Sequence, residues 1–215
     1  MTTSGPPDPE AAAAPGPLPG CDVHGYAIVS ADGMIADRDG AMPAALRNEA
    51  DWVYFQAQLD LADLVLLGRK SHELAPNPRR RRRLVASASV ASLEERLDAW
   101  WWNPAAMPLR RVLATLLPGG GRVAVPGGQG VFDMLVALAA FDHFHLACAT
   151  GVRLPQGLPI FSDLARGATA ASVLARAGLS PRRVVTLDPV APVAPVVLTL
   201  WERAITLPTG ERRPS

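Results

Sequence analysis

The 215-residue sequence holds a single lysine, Lys70, and only two cysteines, Cys21 and Cys148. Two cysteines exclude a disulfide framework and a cysteine-only zinc site, and they suit a reducing cytoplasm. Charge imbalance is absent as well. The chain sets 21 basic side chains against 20 acidic ones, a formal charge of +1, which excludes a polyelectrolyte built to coat nucleic acid. No apolar run reaches the roughly 20 residues a membrane helix needs, because charges, Pro or Gly interrupt each one. The start has neither the basic opening nor the apolar stretch of a signal peptide. There is no internal repeat.

What is there is a chain 49% apolar, enough for a conventional core between two polar ends. Residues 1–20 carry six prolines and three glycines. With few large side chains to offset ordering entropy, they read as a disordered tail. Residues 21–205 read as one domain and residues 206–215 as a flexible tail.

Within the domain the pattern alternates. Val23–Ser30, Ala62–Leu67, Leu84–Ser87, Arg122–Val125 and His143–Cys148 read as strands. Asn48–Leu59, Pro108–Leu117 and Gln129–Leu138 read as helices, the first with Asn48 as cap. Arg183–Leu187 and Val196–Trp201 are β-rich runs able to pair at the C-terminus. Strands separated by helices make βαβ units. The expected fold is α/β, a three-layer α-β-α arrangement on a mostly parallel twisted sheet with a C-terminal antiparallel strand pair.

The strand at Arg122–Val125 runs into Gly127-Gly128-Gln129-Gly130 and then directly into a helix. Glycines there let backbone approach a ligand, and a helix N-terminus presents free N–H groups to an anion. Two common phosphate motifs do not fit. The dinucleotide fingerprint lacks its third glycine, where Asp133 stands, and Gly68-Arg69-Lys70-Ser71 lacks the earlier glycine of a P-loop. This second run nonetheless closes a buried strand, where open α/β sheets bind ligands. Arg69 and Lys70 supply charge and Ser71 a hydroxyl; a guanidinium there suits the 2′-phosphate of NADP. Ser87, with Ser89 behind it, ends the next strand and could add a further hydroxyl.

These residues, together with Ser30-Ala31-Asp32-Gly33, Ala41-Met42-Pro43, Asp51 with Phe55, His72-Glu73, and Gly157 with Phe161, resemble the dihydrofolate reductase-like superfamily. That superfamily includes the reductase domain of riboflavin biosynthesis. The likeness runs over about residues 22–205. It implies NADPH as hydride donor, with Arg69, Lys70, Ser71 and Ser87 on the adenosine-side phosphate. Gly127, Gly128, Gln129 and Gly130 would face the pyrophosphate, often through a cis peptide. It implies a substrate pocket formed by Ala27, Asp51, Phe55 and Arg81, with Asp51 gripping the ring and assisting protonation. Asp51 also reads as a first-turn acid complementing the helix dipole.

The pattern departs from the family at Ala44, where a tryptophan is expected, at Ala147, where a threonine is, and at Gly130, where an arginine is. The resemblance therefore implies a reductase of a pterin-like or pyrimidine small molecule. The alternatives are a riboflavin-pathway 5-amino-6-(5-phosphoribosylamino)uracil reductase and a non-catalytic nucleotide-binding relative.

The remaining features have blander readings. Arg79–Arg83 reads as a solvated loop before it reads as a phosphate-binding patch. His143, His145 and Cys148 read as packed or hydrogen-bonded side chains, with no metal. Trp100–Trp102 reads as a loop or helix end packing on the domain or on a second copy. The expected partner is a small-molecule substrate, with no nucleic acid and no membrane, and a homodimer is left open.

Overall fold

The structure is a computed structural model that describes residues 15–187 and 195–204. Its strands are β1 (Cys21–Ser30), β2 (Met34–Ala36), β3 (Leu64–Gly68), β4 (Arg83–Ala86), β5 (Leu93–Glu95), β6 (Trp100–Trp102), β7 (Gly121–Gly127), β8 (His143–Ala149), β9 (Leu158–Pro159), β10 (Leu179–Thr186) and β11 (Val196–Arg203). Its helices are α1 (Glu49–Asp60), α2 (Arg69–Leu74), α3 (Leu109–Leu116), α4 (Gln129–Ala137) and α5 (Ala170–Arg176).

Nine strands form one sheet in the order β10-β11-β8-β1-β7-β3-β4-β6-β5, while β2 and β9 pair separately. The central pairings, β8–β1–β7–β3–β4–β6, are parallel. The C-terminal strands β10 and β11 pair antiparallel and join the sheet against β8. Central strands such as LVLL in β3 are apolar at every position because both faces are covered. One face carries α3, α4 and α5 over a core with Val112, Phe132 and Leu174. The other carries α1, whose Leu59 packs with Tyr26, Val65 and Ala124. No helix of the described residues is long and apolar enough to cross a membrane.

Several expectations change. Trp100–Trp102 is a strand, not a loop or helix end. It pairs parallel with β4 and antiparallel with β5, and Trp101 and Trp102 are buried. Bulky residues in succession show no alternation because both faces are enclosed. Residues 15–20 do not behave as a tail. Leu18 enters the core and the Gly16 N–H donates to the Leu138 carbonyl at 2.7 Å. The rest of the expected tails, 1–14 and 206–215, lies outside the described residues.

The arginine run is also more than a solvated loop. Arg82 donates to the Leu116 carbonyl. Arg83 is buried and donates to the Ala75 carbonyl at 2.9 Å.

Candidate functional site

The two phosphate-binding candidates meet because β3 and β7 are neighbours. Leu67 and Gly127 are Cα partners across that pair, so the turn after Gly68 and the turn after Gly127 leave the same sheet edge side by side. Between them and the end of β4 opens an outer cleft of about 810 Å³, whose lining includes Arg69, Lys70, Ser71, Ser87, Gly128 and Gly130. Gly127 and Gly128 turn the chain with φ of +140° and +97°, angles that side chains rarely adopt. The described residues contain no cis peptide.

At the start of α4, the N–H groups of Val131 and Phe132 bond the Gly128 carbonyl. Those of Gln129 and Gly130 have no intrahelical acceptor and remain available to an anion. The Gln129 side chain faces elsewhere, donating to the Pro159 carbonyl at 2.9 Å. Arg69 is exposed and, among the described residues, its guanidinium pairs with Glu73 alone, at 3.2 Å. The Ser87 hydroxyl donates to Ser89 Oγ at 2.8 Å. Basic side chains, two hydroxyls and an open glycine turn fit a phosphorylated dinucleotide, since a Cβ at Gly127 or Gly130 would meet nothing within 4 Å.

A second, inner cavity of about 590 Å³ adjoins this cleft, and Ala27, Ile28, Met42 and Pro126 line both. Here Asp51, Phe55, Tyr54, Tyr26 and His145 form the wall. Helix α1 brings Asp51 in because Asn48 caps it, accepting from the Asp51 N–H at 3.0 Å. Asp51 and Phe55 then lie one turn apart on one face. The Asp51 carboxylate makes no hydrogen bond with described residues, and burial pushes its pKa up to about 6.

Arg81 is not brought to this cavity and lines neither space. Its guanidinium is held at the far end of α1 by Asp60, at 2.6 Å, and by Gln56 Oε1, at 2.8 Å. At this cavity stands Arg47 instead, exposed, its guanidinium without a hydrogen bond or ion pair among the described residues.

From Tyr54 and His145 in this wall runs a polar network that sequence reasoning missed. The Tyr54 hydroxyl is 2.6 Å from His145 Nδ1, and His145 Nε2 is 3.2 Å from His24 Nδ1. His24 Nε2 is 2.7 Å from Asp22. Arg122 reaches Tyr26 Oη at 2.7 Å, Gln58 Oε1 at 2.8 Å and His24 Nδ1 at 3.1 Å. Burial keeps both histidines neutral, lowering His24 to about 4 and His145 to about 3.

Asp22, His24 and His143 also bring three potential metal-ligand atoms within 4.8 Å of one another. The Arg122 guanidinium beside His24 opposes a cation there, and Asp22 already accepts from His24. The group is a hydrogen-bonded cluster.

No family model and no curated protein matches the sequence. Solved structures match its fold. A crystal structure of a protein ascribed to riboflavin biosynthesis, from Shewanella sp. PV-4, superposes with a TM-score of 0.60 at 16% identity, covering 85% of this chain and 99% of that one. Dihydrofolate reductase from Enterococcus faecalis, complexed with NADP(H), superposes with 0.57 at 14% identity over 85% and 96%. A diaminohydroxyphosphoribosylaminopyrimidine deaminase/5-amino-6-(5-phosphoribosylamino)uracil reductase from Thermotoga maritima gives 0.57 at 16% identity. This chain covers 57% of that protein's length and is itself covered over 86%. The chain has the dihydrofolate reductase-like fold.

Proposed function

We propose that the protein is an NADPH-dependent reductase that transfers a hydride to a C=N or C=O bond of a pterin-like or pyrimidine small molecule. The observation that carries this reading is the meeting of the Gly68–Ser71 turn, Ser87 and the Gly127–Gly130 turn around one cleft that opens into the Asp51 cavity. NADPH, when bound, supplies the hydride. Arg69, Lys70, Ser71 and Ser87 hold its adenosine-side phosphate, and the Gln129 and Gly130 N–H groups face its pyrophosphate. Ala27 and Pro126 stand where the two spaces join, and Phe55 packs against the substrate ring. Asp51, protonated below about pH 6, is the group suited to pass a proton to the reduced bond.

The Shewanella and Thermotoga neighbours support a riboflavin-pathway reductase as the second reading. The free cysteines support the cytoplasm as its place. Titration with NADPH and NADH tests the proposal, followed by a turnover screen on dihydrofolate, dihydropterins and the riboflavin-pathway pyrimidine. The expected result is NADPH binding at least about tenfold tighter than NADH and oxidation of NADPH with one substrate of the screen. Binding of neither nucleotide overturns the proposal. NADPH binding without turnover of any substrate identifies a non-catalytic relative.

A further inference from the structure

We propose that a directional hydrogen-bond chain from Asp22 through His24 and His145 fixes Tyr54 as an acceptor toward the inner cavity. Tyr54 and Asp51 together then select a heterocycle that presents N–H donors along one edge. This rests on reading the inner cavity as the substrate site, and it adds to that reading a specificity device outside the cofactor cleft.

The direction of the chain follows from one group that can only accept. The Asp22 carboxylate, 2.7 Å from His24 Nε2, has no proton to give, so the proton of neutral His24 sits on Nε2 and its Nδ1 carries the lone pair. Arg122 Nη2 lies 3.1 Å from that Nδ1 and offers no acceptor to an N–H there, its two protons being directed to the nearer Tyr26 and Gln58 oxygens. His145 Nε2, 3.2 Å from the same Nδ1, therefore donates. With its proton on Nε2, neutral His145 has a bare Nδ1, and the Tyr54 hydroxyl 2.6 Å away donates to it.

The surroundings hold this arrangement in place. Gln58 Oε1 and Tyr26 Oη pin the Arg122 guanidinium. His143 stacks on His24 at 4.3 Å and reaches Asp22 from the neighbouring strand. The positive charge of Arg122 and the burial of both rings disfavour an imidazolium at either position.

The hydroxyl proton of Tyr54 is thus committed to His145, and the oxygen keeps a lone pair for a ligand in the cavity that Tyr54 lines. Asp51 lies three residues earlier on the same helix face, its carboxylate open. Two acceptors on one wall favour a ring edge with two N–H groups, such as an amino group beside a second donor. They disfavour an edge made only of acceptors, which would leave buried polar atoms unpaired.

Two measurements on the full chain test this. The first is NMR of the protein with 15N-labelled imidazoles, without ligand. Expected are Nε2–H tautomers for His24 and His145, both neutral at pH 6; an Nδ1–H tautomer or an imidazolium at either ring overturns the proposal. The second compares binding of 2,4-diaminopyrimidine and 2,4-dimethoxypyrimidine. Tyr54→Phe should weaken the diamine about tenfold and leave the dimethoxy compound unchanged. His145→Leu frees the Tyr54 proton and should shift preference toward the dimethoxy compound, whereas His145→Gln, whose side-chain oxygen can accept, should restore it. Equal effects on both probes overturn the proposal. Neither measurement uses nucleotide, so failure to bind NADPH would sink the reductase reading while leaving these outcomes to stand or fall alone.

Discussion

Gly128 stands directly against Ser71: a Cβ built on the glycine would lie 3.5 Å from the serine hydroxyl and 3.6 Å from the Gly68 nitrogen. Two chain segments some sixty residues apart in sequence are in this way packed into a single rim. The consequence is a contrast between neighbouring glycines. Gly128→Ala forces a side chain into φ +97°, which costs on the order of 1–3 kcal/mol, so its urea midpoint should fall along with NADPH affinity. Gly130→Ala meets open space and carries no unusual φ. It should keep the midpoint yet weaken NADPH, because its methyl group enters the cleft itself. If Gly130→Ala leaves NADPH titration unaltered, the dinucleotide does not pass over this turn.

Arg69 is the exposed guanidinium on that rim, tied among the described residues only to Glu73 on the next helical turn. An exposed pair of this kind is weak, so the side chain is free to turn to a phosphate. Arg69→Ala should reduce NADPH affinity about tenfold while leaving NADH affinity unchanged, as read by fluorescence titration of both nucleotides. Glu73→Gln should strengthen NADPH slightly by removing the competing carboxylate. An equal loss of both nucleotides in Arg69→Ala would mean that the arginine senses something other than the extra phosphate.

Much of this rim was legible in the sequence because each part is local. A strand followed by glycines and an amphipathic helix announces α4, and Asn48 ahead of an apolar-periodic stretch announces α1. The polar network behind Tyr54 was not legible as a unit. Asp22, His24 and Tyr26 do recur with a period of two, and His143 and His145 share a face of β8. What joins them is the parallel register that pairs His24 with His143 and Tyr26 with His145, and local sequence carries no information on register between distant strands. Leu18 illustrates the same limit. One leucine among prolines and glycines gives no periodic signal, yet it fills a core position. Arg81 shows the reverse error, since a plausible position for an anion contact is taken up by Asp60 and Gln56.

The raised pKa of Asp51 makes a prediction about stability. Its carboxyl stays protonated up to about pH 6 in the folded chain, against an ordinary value of 3.8. Between those values the folded state binds more protons than the unfolded state, so this group's stabilisation is present at low pH and is lost as pH rises through 6. His24 and His145 act in the opposite sense: they are neutral in the fold down to about 4 and about 3, so their contribution is present above 6.5 and is lost as pH falls. Asp51→Asn removes only the first effect. Relative to wild type, the variant should gain about 2–3 kcal/mol on going from pH 4 to pH 8, measured by urea unfolding across that range. Parallel pH profiles for the two proteins would show a solvated carboxylate and remove the proton-transfer role.

The two arginines near the inner cavity should separate cleanly. Arg81 is bound through Nε and Nη2 to α1 and lines neither the inner cavity nor the outer cleft, so Arg81→Ala should lower the melting temperature a little and leave KM alone. The Arg47 guanidinium makes no hydrogen bond or ion pair with described residues and stands exposed at the inner cavity, where a substrate entering ring-first would leave its substituent. Exposure keeps such a charge screened, so the effect on an anionic tail is modest and depends on salt. Arg47→Ala should raise KM severalfold for a substrate carrying a carboxylate or phosphate, with kcat unchanged and the difference shrinking at high ionic strength. It should leave KM unaltered for the same ring without the anionic group. Should Arg81→Ala prove to be the variant that raises KM, the guanidinium must exchange Asp60 for substrate on binding, and α1 would have to release its C-terminal anchor in every turnover.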